Sequence, residues 1–169
     1  MRSILIEKVT LNIGVGKPGP ELEKAMKLLE MITDSKPIQT KAKKRIPNWE
    51  IRPGLPIGCK VTLRRKKAEE MLSKLLDAID KKLKVSNFDN EGNVAFGIRE
   101  YFDIPGVKYN AEIGMMGLEA AVTFKRPGYR IKVRKIKRKK IPKKHRITKE
   151  ETMKFLKEKF GVQILEEEK

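Results

Sequence analysis

From Ile4 to Val15 apolar and polar residues alternate, with Val9, Leu11, Ile13 and Val15 on one side and Lys8, Thr10 and Asn12 on the other. That is the pattern of a half-buried strand. Gly14, Gly16, Pro18, Gly19 and Pro20 then break the alternation, and Leu22, Ala25, Met26, Leu29 and Ile32 recur at helical spacing, predicting an amphipathic helix over about 21–34. A second strand is predicted where Ile38, Thr40 and Ala42 alternate with Gln39, Lys41 and Lys43, its outer face cationic. Residues 46–58 carry Pro47, Pro53, Gly54 and Pro56 and are expected to form a long loop without a regular element.

Beyond that loop, Ile57, Cys59, Val61 and Leu63 alternate with Lys60, Thr62 and Arg64 in a third strand. Met71, Leu72, Leu75, Leu76, Ile79 and Leu83 then mark a second helix. Val94, Phe96 and Ile98 predict a fourth strand, and Leu118, Ala120, Val122 and Phe124 a fifth, with turn-rich sequence from Tyr101 to Gly117 between them. Thr148 precedes Glu151 by three residues, a capping box opening a helix with Met153, Leu156 and Phe160 on one face and Gly161 as its stop.

Connection lengths favour antiparallel pairing, so the predicted class is α+β, with helices on one face of an antiparallel sheet and the other face open. The expected division is a core over 1–125, including the 46–58 loop, followed by a basic arm and C-terminal helix over 126–169 that pack on or extend the same domain. The open face would carry Asn12, Lys41, Lys43, Lys60, Thr62 and Arg64, cations and hydrogen-bond formers suited to phosphates, sugars and base edges. An ordinary solvated face is the competing explanation.

Charge shifts that balance. Lys plus Arg number 40 against 22 Asp plus Glu, a formal net charge of +18, which calls for a polyanionic partner. Between Glu119 and Glu150 there is no acidic residue and there are fourteen basic ones, among them Arg130, Arg134, Lys137, Arg138, Lys139, Lys143 and Arg146. A second cluster, from Lys36 to Lys67, is opposed by Glu50 alone. The terminal Glu166, Glu167 and Glu168 form an acidic tip expected to point away from phosphate. A membrane is the weaker polyanion, since no apolar run of about 18 residues is present and the opening residues read as a strand rather than a leader.

Catalytic and cofactor chemistry find little purchase. Cys59 falls in the apolar register of a strand, as a small core residue would. His145 lies in the run KKHR without companions for a zinc site, and a phosphate-adjacent or solvent-exposed imidazole is expected there. GVGKPG lacks the spacing and the Ser or Thr of a nucleotide-binding loop and reads as a strand-ending turn whose amides could meet RNA phosphate. Glu69 and Glu70 are expected to complement a helix dipole. Trp49 is in the loop, where stacking on a nucleotide and packing against the protein compete on equal terms. No enzyme and no cofactor are expected.

Four blocks are more specific than any of these features. LNIGVG (11–16), KPIQTKAKKRIPNWEIRPGLPIGCKVTLR (36–64), FDNEGNVAFGIREY (88–101) and GMMGLEAAVTFKRPGYR (114–130) resemble, in order and spacing, successive segments of the ribosomal large-subunit protein family uL5. KHRITKEE (144–151) resembles the C-terminal segment of the archaeal and eukaryotic branch, and the helix that precedes the first strand in bacterial relatives has no counterpart, so an archaeal-type member is the expectation.

The resemblance implies an architectural protein of the large subunit's central protuberance. It would bind 5S rRNA, contact 23S rRNA, bridge to a small-subunit head protein of the uS13 family, reach P-site tRNA with a loop and neighbour a 5S-binding protein of the uL18 family. Asn12 and Thr62 match family positions that hydrogen-bond 5S rRNA, Trp49 matches a stacking aromatic that is more often phenylalanine, and Ser35 stands where glutamine is common. Pro47, Asn48, Arg52, Pro53 and Gly54 correspond to the tRNA-proximal loop, with Arg52 facing phosphate, while Tyr101, Asp103, Lys108 and Tyr109 fall in the region facing the small subunit. Two rival functions share the charge: a free RNA chaperone or regulator, and a nucleic-acid-processing enzyme.

Overall fold

A computed structural model describes residues 1–165; the acidic tip at Glu166, Glu167 and Glu168 lies outside the described residues. The elements are β1 (Leu5–Gly14), α1 (Pro20–Thr33), β2 (Ile38–Lys41), β3 (Pro56–Leu63), α2 (Arg65–Asp77), β4 (Lys82–Lys84), β5 (Val94–Ile98), β6 (Leu118–Lys125), α3 (Arg130–Val133), α4 (Lys149–Phe160) and β7 (Gln163–Leu165). Five strands form a sheet in the order β2-β3-β1-β6-β5, and β4 and β7 form a separate pair. The class is α+β.

The chain folds into two compact units, one made of Met1–Val9, Arg64–Phe96 and Ala121–Lys169, the other of Thr10–Leu63 and Gly97–Ala120. In the second unit, α1 packs on β3, burying Leu22, Ala25, Leu28, Leu29 and Ile32. Pro20 opens this helix because its missing N–H would have had no intrahelical partner anyway. Cys59, Val61 and Leu63 point inward from β3 while Lys60 and Thr62 are exposed, so period-two alternation sets the two faces. Burial pushes the Cys59 thiol up to about 11, so it stays protonated in the core.

Strand β2 pairs with β3 antiparallel, Ile38 opposite Lys60 and Thr40 opposite Gly58, with a register shift between Thr40 and Lys41. Gly58 has no room for a side chain: a Cβ would stand 2.7 Å from the Ile13 carbonyl oxygen and 2.9 Å from Thr40 Oγ1. The predicted inward face of β2 is not realised, since Ile38 is 65% exposed. Residues directly opposite in an antiparallel pair share a face, so Ile38, opposite Lys60, lies on the outward side, whereas Gln39, opposite the buried Cys59, turns to α1, its amide donating to Met26 Sδ at 3.5 Å.

Four further expectations are corrected. The irregular loop is shorter than 46–58, because Pro56–Gly58 already belong to β3. Pro56 is tolerated where the strand begins, opposite Lys41. Helix α2 stops at Asp77 rather than running to Leu83; Lys81 N–H turns back to the Leu76 carbonyl at 2.8 Å, with Asp80 and Lys81 at positive φ, and Leu83 is buried in β4 instead. Strand β4 pairs parallel with β7, Leu83 opposite Ile164, a departure from all-antiparallel pairing. Glu69 and Glu70 lie beyond the first turn of α2, which holds no acid, and Glu69 accepts instead from Lys159 Nζ at 2.8 Å. Among the described residues no helix is long and apolar enough to cross a membrane.

Candidate nucleic-acid interface

On the unit formed by Thr10–Leu63 and Gly97–Ala120 the outward strand positions carry Asn12, Lys60 and Thr62. Lys41 and Lys43 are exposed on and just beyond the edge strand, and Ser35 is half-buried, its hydroxyl donating to the Thr33 carbonyl at 3.2 Å. Arg64, exposed at the N-terminal end of α2, belongs to the other unit. The face is less uniformly cationic than the sequence reading supposed. Glu119 projects from β6 on the same side, and the Asn12 side-chain amide donates to its carboxylate at 3.4 Å. Glu119 was legible in the pattern: with Leu118, Ala120 and Val122 inward, residue 119 must face out.

The loop after β2 is held by its own backbone. Ile46 and Ile51 exchange hydrogen bonds of 3.0 and 3.1 Å, Ala42 N–H donates to Leu55 at 2.8 Å, and Gly54 N–H donates to Ala42 at 2.9 Å. Buried Ile51 anchors it, leaving Pro47, Asn48, Arg52, Pro53 and Gly54 exposed. Trp49 sits on a short 3-10 turn and is 70% exposed, so packing does not explain it. In the glycine-rich turn, the Val15 and Gly16 amides both donate to the Ile57 carbonyl, at 2.9 and 2.8 Å, and are not free for phosphate.

Tyr101 is fully buried, so its side chain does not fit the expected surface role. Its hydroxyl accepts from Asn110 N–H at 2.8 Å and its ring stacks on Tyr109 at 6.5 Å, fixing the segment that displays Asp103, Lys108 and Tyr109.

In the other unit the basic arm is folded rather than extended. Tyr129 is its organiser: the hydroxyl accepts from Ile147 N–H at 3.1 Å and donates to the His145 carbonyl at 3.2 Å. His145 is half-buried rather than a solvent-exposed imidazole: its Nε2 is 2.9 Å from the Pro127 carbonyl and the ring meets Tyr129 edge-on. Arg134 Nε donates to the Lys137 carbonyl at 2.9 Å, and Arg146 Nε to that of Ile141 at 3.2 Å. Arg130, Arg134, Lys137, Arg138, Lys139, Lys143 and Arg146 are exposed. Arg126 is the exception in this run. It is 4% exposed and pairs with Glu151, the residue that completes the capping box of α4 with Thr148. The Thr148 backbone N–H, then the Arg126 guanidinium, hold the Glu151 carboxyl below the usual range.

Two family models cover most of the chain: ribosomal protein L5 matches residues 1–52, and the ribosomal L5P family C-terminus matches residues 56–155. The chain belongs to the ribosomal protein L5 family. Among its relatives, the large ribosomal subunit protein uL5 of Nanoarchaeum equitans is 57% identical over 98% of this chain and 98% of its own length. Proteins of the same name from Sulfolobus acidocaldarius and Methanosphaera stadtmanae are 51% and 49% identical, over 98% and 97% of this chain and 93% and 98% of theirs. These are archaeal proteins, as the KHRITKEE segment led us to expect. The C-terminal family model runs through Arg126, Tyr129 and His145 to Phe155.

Proposed function

We propose that this chain is a structural component of the cytoplasmic large ribosomal subunit that binds 5S rRNA through the open strand face and attaches it in the central protuberance. The observation that carries this reading is the set of half-buried Asn12 with exposed Lys60 and Thr62 at outward strand positions, in the same unit as exposed Lys41, Lys43 and Trp49. Lysines neutralise phosphates and release counterions, neutral hydrogen-bonding groups fix register, and an unpacked indole is free to stack on a base. The role is architectural, with no reaction to catalyse.

Three further contacts complete the proposal. The ordered loop presenting Pro47, Asn48, Arg52, Pro53 and Gly54 approaches P-site tRNA, with Arg52 as the phosphate contact. Asp103, Lys108 and Tyr109 face a uS13-type protein of the small-subunit head. The arm cations from Arg130 to Arg146 contact rRNA, 23S included, and a uL18-type protein is a neighbour on the 5S rRNA.

Affinity of the full chain for transcribed 5S rRNA tests the central claim. Asn12→Ala combined with Thr62→Ala should weaken binding while the thermal melt stays unchanged; undiminished affinity would remove those residues from the site. Sedimentation of cell extract separates the main rival, because a free RNA chaperone would stay in the light fractions while a subunit protein travels with the large subunit.

A further inference from the structure

The open face ends in a notch whose chemistry differs from the rest of the surface. Its volume is about 460 Å³, and Asn12, Gly14, Gly97, Arg99, Gly117 and Glu119 line it. All of these residues belong to one compact unit. Two of its glycines border open space: a Cβ built on Gly14 or Gly97 would meet nothing within 4 Å. Gly117 lies against backbone, where a Cβ would be 2.9 Å from the Arg99 carbonyl oxygen.

Among the residues that line the notch is a carboxylate that makes little sense on a phosphate-binding surface. Glu119 is exposed and, among the described residues, has no cationic partner. Its neighbour is the neutral Asn12 amide, which donates to Oε2 at 3.4 Å. An unpaired negative charge repels phosphate, and so it lowers affinity wherever the backbone of RNA comes near. It favours a ligand that offers hydrogen-bond donors instead.

The order of groups selects that ligand. The second hydrogen of the Asn12 amide is a free donor, and beside it the two carboxylate oxygens are acceptors. The row therefore reads donor, acceptor, acceptor. An unpaired guanine presents the complement along its Watson–Crick edge: O6 accepts, N1–H donates and the N2 amine donates. Guanine alone places two donors side by side; uracil would turn its O2 oxygen, and adenine or cytosine a ring nitrogen lone pair, toward the carboxylate. Arg99, an exposed residue of the lining, has the charge and the planar group to hold the adjoining phosphate.

We propose that Asn12 and Glu119 together read the Watson–Crick edge of an unpaired guanine of the bound RNA, making Glu119 a specificity-determining residue of the interface. This rests on the reading of the open face as the 5S rRNA site.

Glu119→Gln separates this from simple electrostatics, since the two make opposite predictions. Removing a negative charge from a phosphate-binding face should tighten every RNA. If Glu119 reads guanine, the same variant should bind 5S rRNA about tenfold or more weakly while binding poly(U) no less tightly than the unaltered chain does. Kethoxal, which reacts with N1 and N2 of unpaired guanine, gives a second readout. At least one guanine reactive in free 5S rRNA should be protected by the unaltered chain and become reactive again under saturating Glu119→Gln. If the unaltered chain binds 5S rRNA but no guanine behaves so, or Glu119→Gln tightens 5S binding, the guanine reading is overturned alone. If the unaltered chain does not bind 5S rRNA, the proposed function falls and takes this inference with it.

Discussion

Replacing Glu151 with alanine probes how the C-terminal helix and the arm are joined. Glu151 uses both carboxylate oxygens: Oε2 accepts the Thr148 N–H at 3.0 Å, and Oε1 lies 2.5 Å from Arg126 Nη2. Arg126 is 4% exposed and its Nε has no hydrogen-bond partner among the described residues, so this one carboxylate offsets a buried guanidinium. Losing the reciprocal half of the capping box costs about 0.5–1 kcal/mol. Stranding a buried cation costs about 3–5 kcal/mol when both partners are enclosed, but exposed pairs contribute only about 0–1 kcal/mol. The Glu151 side chain is 43% exposed, which places this pair between those limits. A total of about 2–3 kcal/mol follows, or a melting temperature lower by about 5–10 °C for a chain of this size.

The control is Arg126→Met, which replaces the cation by an apolar side chain of similar length and leaves no charge to strand. In that background Glu151→Ala should cost only the capping half. Far-UV circular dichroism melts of the four proteins measure the coupling, and equal losses in the two backgrounds would refute the account. The same pair sets an acid dependence. Because the folded-state carboxyl of Glu151 titrates below its ordinary 4.5, its stabilisation is complete above that pH and is lost as pH falls through the lower folded value. Glu151→Gln should therefore flatten the acid limb of stability below about pH 4.5.

Gly92→Ala should destabilise by about 2 kcal/mol or more, since φ is +76° and a Cβ would stand 2.6 Å from Thr152 Oγ1, the hydroxyl that donates to the Gly92 carbonyl; an unchanged urea midpoint would count against it. His145→Ala should leave the sheet intact but loosen the arm by about 1 kcal/mol through loss of the contact with the Pro127 carbonyl. Faster tryptic cleavage within 130–144 is the readout, and an unchanged cleavage rate would contradict it. Trp49→Ala should preserve the melt and weaken 5S rRNA binding by about 1–3 kcal/mol; as the sole tryptophan, Trp49 should also show RNA-dependent quenching, and no quenching at saturation would exclude stacking.

The central strands were readable because burial on one face imposes strict alternation, and Val9, Leu11, Ile13, Val61, Leu63, Phe96 and Val122 all obey it. Edges and switches were not. Ile38 keeps the period of β2, but period does not say which face turns inward, and the register with β3 puts Ile38 beside Lys60 on the outward side. Leu83 keeps the helical period of α2, yet positive φ at Asp80 and Lys81 ends the helix first. The three-residue partners β4 and β7 are joined across 78 intervening residues, from 85 to 162, so no local signal couples them. Arg126 looked like one more cation of the arm, and only its burial beside Glu151 separates it from the exposed ones. The burial of Tyr101 and the seating of His145 carry no local signal for a related reason: each meets a backbone group, of Asn110 and of Pro127, that no motif marks.

Two surfaces with different composition should fail in different ways. On the proposed reading the arm lysines meet RNA through charge, so each phosphate contact removed reduces the salt dependence of log K by about 0.7–0.9. Lys137, Lys139 and Lys143 are all exposed, and changing the three to glutamine should flatten the slope by roughly 2–3 if each meets a phosphate. Asn12 and Thr62 are neutral and displace no counterion. Their removal should lower affinity by the same factor at every salt concentration, leaving the slope where it was. Titrations of 5S rRNA with both variants between low and high salt measure this directly. A slope that changes with Asn12→Ala and Thr62→Ala, or one that the triple lysine substitution leaves unchanged, would refute the division of roles between the arm lysines and the neutral pair Asn12 and Thr62.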